Sequence, residues 1–111
     1  FIRINNSIFE YNSAKYGTIY LKSFQAEIQN IVIQNNEAIN GAGIYSYKGV
    51  INLKYSNDIS YNTANNIGGG IYTEKTDINI YDNSLIEYNI ANNNAFSDNI
   101  YCTSSSINLY N

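Results

Sequence analysis

Two kinds of side chain in this sequence could act on a ligand: carboxylates and tyrosines. Paired carboxyl groups cleave glycosidic bonds, one giving a proton while the other serves as base or nucleophile. The candidates are Glu10 with Glu87, Glu74 with Asp77, and Asp58 with Asp82. Tyrosine offers an apolar ring with a polar edge, a surface suited to sugar rings and protein partners. Tyr20, Tyr45, Tyr72 and Tyr101 each close an Ile-Tyr pair and form the candidate binding set.

Other residues invite chemistry less. Cys102 is the one cysteine, so there is neither an internal disulfide framework nor a cysteine-based zinc site, and it reads as a buried, inert thiol. The run Asn66 to Tyr72, NIGGGIY, lacks the lysine and following helix of a phosphate loop, and it lacks the acids of calcium-binding nonapeptides. Glycine there reads as a tight turn at positive φ. Asn5-Asn6-Ser7 is the one glycosylation sequon, and it matters only in a eukaryotic secretory pathway. No metal or cofactor is called for.

Composition narrows the classes further. The formal net charge is −3 and the six lysines and arginines are scattered, which leaves no basic footprint for nucleic acid or an anionic membrane. No apolar run approaches eighteen residues, so no helical membrane span is expected. His is absent and Arg3 is the only arginine, which leaves the acids without the usual catalytic companions. Asn, Ile and Tyr number 21, 19 and 12 of the 111 residues, and they favour turns and strands over helices.

The elements that would position these residues repeat. FEYNSA (Phe9 to Ala14), IQNNEA (Ile33 to Ala38), ISYNTA (Ile59 to Ala64) and IEYNIA (Ile86 to Ala91) place Asn12, Asn36, Asn62 and Asn89 at spacings of 24, 26 and 27. Each is followed by an Ile-Tyr segment, then by an apolar–polar–apolar triplet such as Ile51-Asn52-Leu53. The Ile of Ile-Tyr precedes the next triplet by seven residues every time, whereas the connection from Ala to that Ile grows from five to nine. From triplet to asparagine motif the spacing is seven, seven, eight and eight, so two corners are nearly fixed and one absorbs insertions, as in stacked coils with one free loop.

The fold that follows is all-β: a right-handed parallel β-helix of about four coils, with three short strands per coil and one unit over residues 1–111. The hand rests on crossover chirality and on the absence of hexapeptide repeats. Phe9, Ile33, Ile59 and Ile86 should stack inward, with the four asparagines forming a hydrogen-bonded ladder at the corner. Ala14, Ala38, Ala64 and Ala91 should be small because the chain bends there against the core. Glu10 and Glu87 then fall about 14 Å apart, too far to share a bond, and Asp58 with Asp82 is the nearest approach to a pair. The loop Ile90 to Asn99 is the longest corner and offers Phe96 to solvent.

FEYN at Phe9, with GAGIY at Gly41 and GGGIY at Gly68, resembles the polymorphic outer membrane protein repeat across four copies. Ile mostly replaces its Phe here, and the fourth copy, SDNIY, has lost the glycines. The chain is also similar to pectin-lyase-like segments of Asn/Ile/Tyr-rich surface proteins of protists such as ciliates. Both resemblances imply an extracellular structural or adhesive segment of a longer chain, and neither carries a catalytic residue.

The function expected is non-enzymatic: a stalk, adhesin segment or filament block outside the cell or at its surface. The alternative is a β-helix that binds or degrades carbohydrate along the tyrosine face. Partners would be further coils, other copies stacked end to end, or glycans. The chain opens in mid-pattern without Met, which reads as a mature or excised piece of a longer solenoid, and both ends read as uncapped.

Overall fold

The computed structural model describes residues 1–81, 83–93 and 98–110. Along the chain run β1 (Ile2–Asn5), β2 (Ile8–Glu10), β3 (Ile19–Gln29), β4 (Val32–Gln34), β5 (Glu37–Asn40), β6 (Ile44–Lys54) and β7 (Asp58–Ser60). Then follow β8 (Thr63–Ile67), β9 (Ile71–Ile80), β10 (Leu85–Glu87), β11 (Ile90–Ala91), β12 (Ile100–Thr103) and β13 (Ser106–Leu109). All pair in parallel. One sheet runs β1-β3-β6-β9-β12, with β13 also on β9; a second runs β10-β7-β4-β2, and a third β11-β8-β5. The molecule is a parallel β-helix of about four coils with three strands per coil.

Register follows the repeat, because pairing equivalent positions turns the inward apolar columns to one core together. Phe9, Ile33, Ile59 and Ile86 pair in sequence. So do Ile2, Ala26, Ile51, Ile78 and Ile107. Ile28, Ile33, Ile44, Ile51, Ile59, Ile71 and Ile78 are fully buried, and Phe9 and Ile86 pack against them at the two edges. Each buried isoleucine contributes about 1.5–3 kcal/mol of burial. Ala38 and Ala64 pack together with Ala42 in a smaller cluster at the bend.

The division into strands differs from the motif boundaries. Ile-Tyr and the following triplet belong to one strand of ten or eleven residues in β3, β6 and β9, and the third strand of the coil lies after the asparagine. The long strand is bent by a single residue in the left-handed region: Ser23, Lys48 and Lys75, with Ser104 between β12 and β13. One left-handed residue turns the chain without a loop, so the seven-residue spacing has no freedom to vary.

A second column of left-handed residues precedes the ladder asparagines: Tyr11, Asn35, Tyr61 and Tyr88, at φ of 55–56°. Tyrosine is strained there by about 1 kcal/mol or more, and the asparagine bonds of the next residue offset it.

Candidate functional site: an asparagine column and a tyrosine row

The buried corner is built by one repeated bond pattern. The backbone N–H and the Nδ2 of Asn12 both donate to Oδ1 of Asn36, at 2.9 and 3.0 Å. Asn36 donates in the same way to Asn62, at 3.1 and 3.0 Å, and Asn62 to Asn89, at 2.9 and 3.0 Å. The remaining Nδ2 proton goes to a carbonyl of the coil before: Phe9 from Asn36, Ile33 from Asn62, Ile59 from Asn89. The amides of Asn36 and Asn62 thus each tie three coils together and use both protons and the oxygen.

The column ends within the chain. Asn89 donates through N–H at 3.2 Å and Nδ2 at 3.0 Å to Oδ1 of Asn99, ten residues on rather than one coil on. Beside it the Ala91 N–H donates to Oδ1 of Asp98 at 2.8 Å. At this one corner Asp98 and Asn99 supply a polar cap, while Leu85, Ile107 and Leu109 on the outer strands of the same end stay exposed.

Glycine has two roles in GGGIY. Gly68, at φ +66°, makes the turn that the sequence suggests. At Gly70 the need is space, since an added Cβ would lie 2.6 Å from the carbonyl oxygen of Asn99 and 2.8 Å from Nδ2 of Asn89.

Tyr20, Tyr45, Tyr72 and Tyr101 stack as a row on the six-stranded sheet. Their ring centroids are 5.2, 4.7 and 5.6 Å apart and their planes lie within 4–15° of parallel. Tyr16 leans on both Tyr20 and Tyr45. Tyr20, 47% exposed, is the most open of the four. Because the rings face one another, the row turns ring edges rather than faces outward. A sugar that stacks on an aromatic face finds those faces occupied. Burial first, then the charges of Tyr45 and Glu74, pushes the Tyr72 phenol up to about 12, and burial with Glu74 raises that of Tyr45.

The carboxylates are dispersed. Glu10 and Glu87 lie on the two edge strands of the four-stranded sheet, with β4 and β7 between them. Asp58 accepts from Gln34 at 3.1 Å and Asp77 from Ser106 at 2.7 Å, while Glu74 acts on the Tyr72 phenol. Asp82 and Phe96 lie outside the described residues. Among the described residues no three His, Cys, Asp or Glu side chains gather as a metal site. The ionic feature is Glu27, between Lys54 at 2.7 Å and Arg3 at 3.3 Å. The hydrogen bond from Lys54 is the main cause holding its carboxyl below the usual carboxylate range.

Cys102 is half-buried rather than buried. Leu21, Ser46 and Thr73 in its column are buried, but Cys102 sits on the edge strand β12, where its sulfur accepts from the Thr73 hydroxyl at 3.2 Å. Asn5 is exposed at the end of β1, and the Ser7 hydroxyl donates to its carbonyl.

Motif reading passed over several interactions. Asn57 is buried and donates through Nδ2 to the Lys54 carbonyl and the Ser84 hydroxyl, each at 3.0 Å, while its Oδ1 accepts from the Ile31 N–H. Nothing marks it in sequence, because Ile31 fills the same place one coil earlier. Asn52, Asn79 and Asn108 form an outer ladder at 2.8 and 3.0 Å. Tyr61 stacks on Tyr88 and Tyr81 on Tyr110, at 5.3 and 4.7 Å. Their equal places in the repeat were the available signal.

No protein-family model, no curated protein and no solved structure matches the chain.

Proposed function

We propose that the chain is a non-enzymatic structural or adhesive β-helix module that works outside the cell or at its surface, as a stalk, an adhesin segment or a filament block. The observation that carries this reading is the uniformity of the columns. Asparagine over asparagine and tyrosine over tyrosine recur at one coil's spacing, so each coil presents nearly what its neighbour presents. A catalytic centre needs one singular constellation, whereas a spacer or repetitive contact surface needs sameness along its length.

The resemblance to the polymorphic outer membrane protein repeat, and to pectin-lyase-like surface segments of protists, points to the same setting. The exposed Asn5 sequon suits it where synthesis is eukaryotic. On this reading the partners are further coils of a longer chain or other copies stacked lengthwise. The carbohydrate alternative gains nothing from the tyrosine row, whose ring faces cover one another.

The test is location. Antibody against the folded chain should label intact, unpermeabilised cells that make it, or their extracellular matrix. Labelling that appears only after permeabilisation overturns the proposal.

A further inference from the structure

The closed end of the asparagine column bears on how coils add to one another. In the first three coils, the donors of the ladder asparagine reach an acceptor 24–27 residues on, in the following coil. The Ala14 N–H likewise reaches the carbonyl of Glu37 in the following coil at 3.0 Å. In the fourth coil both equivalent donors are already taken, by Asn99 and Asp98.

The same two residues also complete the rung below. Their backbone carbonyls accept from Ile71 and Gly70, as the carbonyl of Gly70 accepts from Ile44 one coil earlier. Backbone continues the helix downward while side chains close it upward. The paired register of Ile100 with Ile71 places Asp98 and Asn99 over Gly69 and Gly70. The loss of the glycine pair in the fourth copy therefore has a physical meaning. Coil three keeps glycine at 70 because Asn89 passes over it. Coil four puts an amide into the seat that a following asparagine would occupy.

A side chain at this place does not suffice by itself. Thr18 stands there in the first coil, yet its hydroxyl donates to the Ala42 carbonyl and leaves Asn36 to receive Asn12. The closing element is an acceptor aimed at the column.

We propose that Asp98 and Asn99 form a built-in cap that closes the asparagine corner of the fourth coil against a second copy of this chain. A copy stacking lengthwise on this end would bring an asparagine Oδ1 and a strand carbonyl to donors that are already satisfied. It would have to expel the cap or do without this corner. The inference rests on the stacked-coil reading, but not on where the module works.

The decisive variant is D98G/N99G, which restores the glycine pair of coil three. Sedimentation velocity over a hundredfold concentration range should show the variant associating lengthwise, its weight-average sedimentation coefficient rising with concentration, while the wild type rises less. Equal association of the two proteins overturns the proposal. In case the double variant folds poorly, N99A with hydrogen exchange gives a second reading. The amide of Asn89 should exchange at least tenfold faster than in the wild type while that of Asn36 is unchanged. An unchanged Asn89 amide overturns the cap. Neither measurement depends on cell-surface labelling, so failure here and failure of the proposed setting can be told apart.

Discussion

The asparagine column and the tyrosine row are made by the same device, a residue stacked on its own counterpart, yet they differ in what holds them. Asn36, Asn62 and Asn89 are buried, and their amides both accept and donate inside the corner, where a lost partner is not readily replaced by water. The tyrosines stack at the surface and keep an edge in solvent. Losing a buried hydrogen-bond partner leaves unpaired groups, whereas losing an exposed ring forfeits attraction and area only. Like-on-like stacking is thus obligatory at one corner and supplementary on the other face.

The largest effect should come from breaking the column in the middle. Asn62→Leu leaves the Asn36 N–H and Nδ2 without their acceptor and the Ile33 carbonyl without its donor. A loss of about 3 kcal/mol or more is expected at about 1–3 kcal/mol per stranded group, read from urea denaturation. A loss below that of any tyrosine substitution would reverse the comparison.

Removing the best-connected ring should cost less. Tyr45 touches Tyr16, Tyr20 and Tyr72. Tyr45→Ala should lower stability by about 1–2 kcal/mol, while Tyr45→Phe, which keeps the ring, should recover most of it in the same urea titration.

The smallest effect is alkaline. The Tyr72 phenol is raised from 10.0 to about 12 in the folded chain, so its neutral form is the one that the fold favours. Its contribution is fully present below pH 10, where both states hold the proton. It declines as pH climbs toward 12, because the unfolded chain then binds fewer protons than the folded one. Absorbance at 295 nm should show a late-ionising phase that shrinks in Tyr72→Phe, and a midpoint near 10 for every tyrosine would remove this distinction between row and free phenol.

Much of this was legible in the residues. Equal spacings predict stacked coils because coils of unequal cross-section cannot share a core, and the four FEYN-like segments name the column directly. The bent long strands were not legible, since Ser, Lys, Lys and Ser at the bend share no side-chain chemistry; the requirement there is a backbone angle. Asn57 was hidden because its bonds to neighbouring coils go to unlike residues, Ile28, Ile31 and Ser84. Asn99 looked like a decayed glycine motif, and only its place beyond Asn89, where a following asparagine would accept, explains why a side chain belongs there.

By itself the sequence determined the period, the residues that face inward and the identity of the column, because all three depend on a repeating pattern along one chain. The tertiary structure decided what happens where the pattern breaks. Which amide closes the last rung and how far Cys102 is covered depend on what lies beside the fourth coil, and that is a relation between neighbours in space.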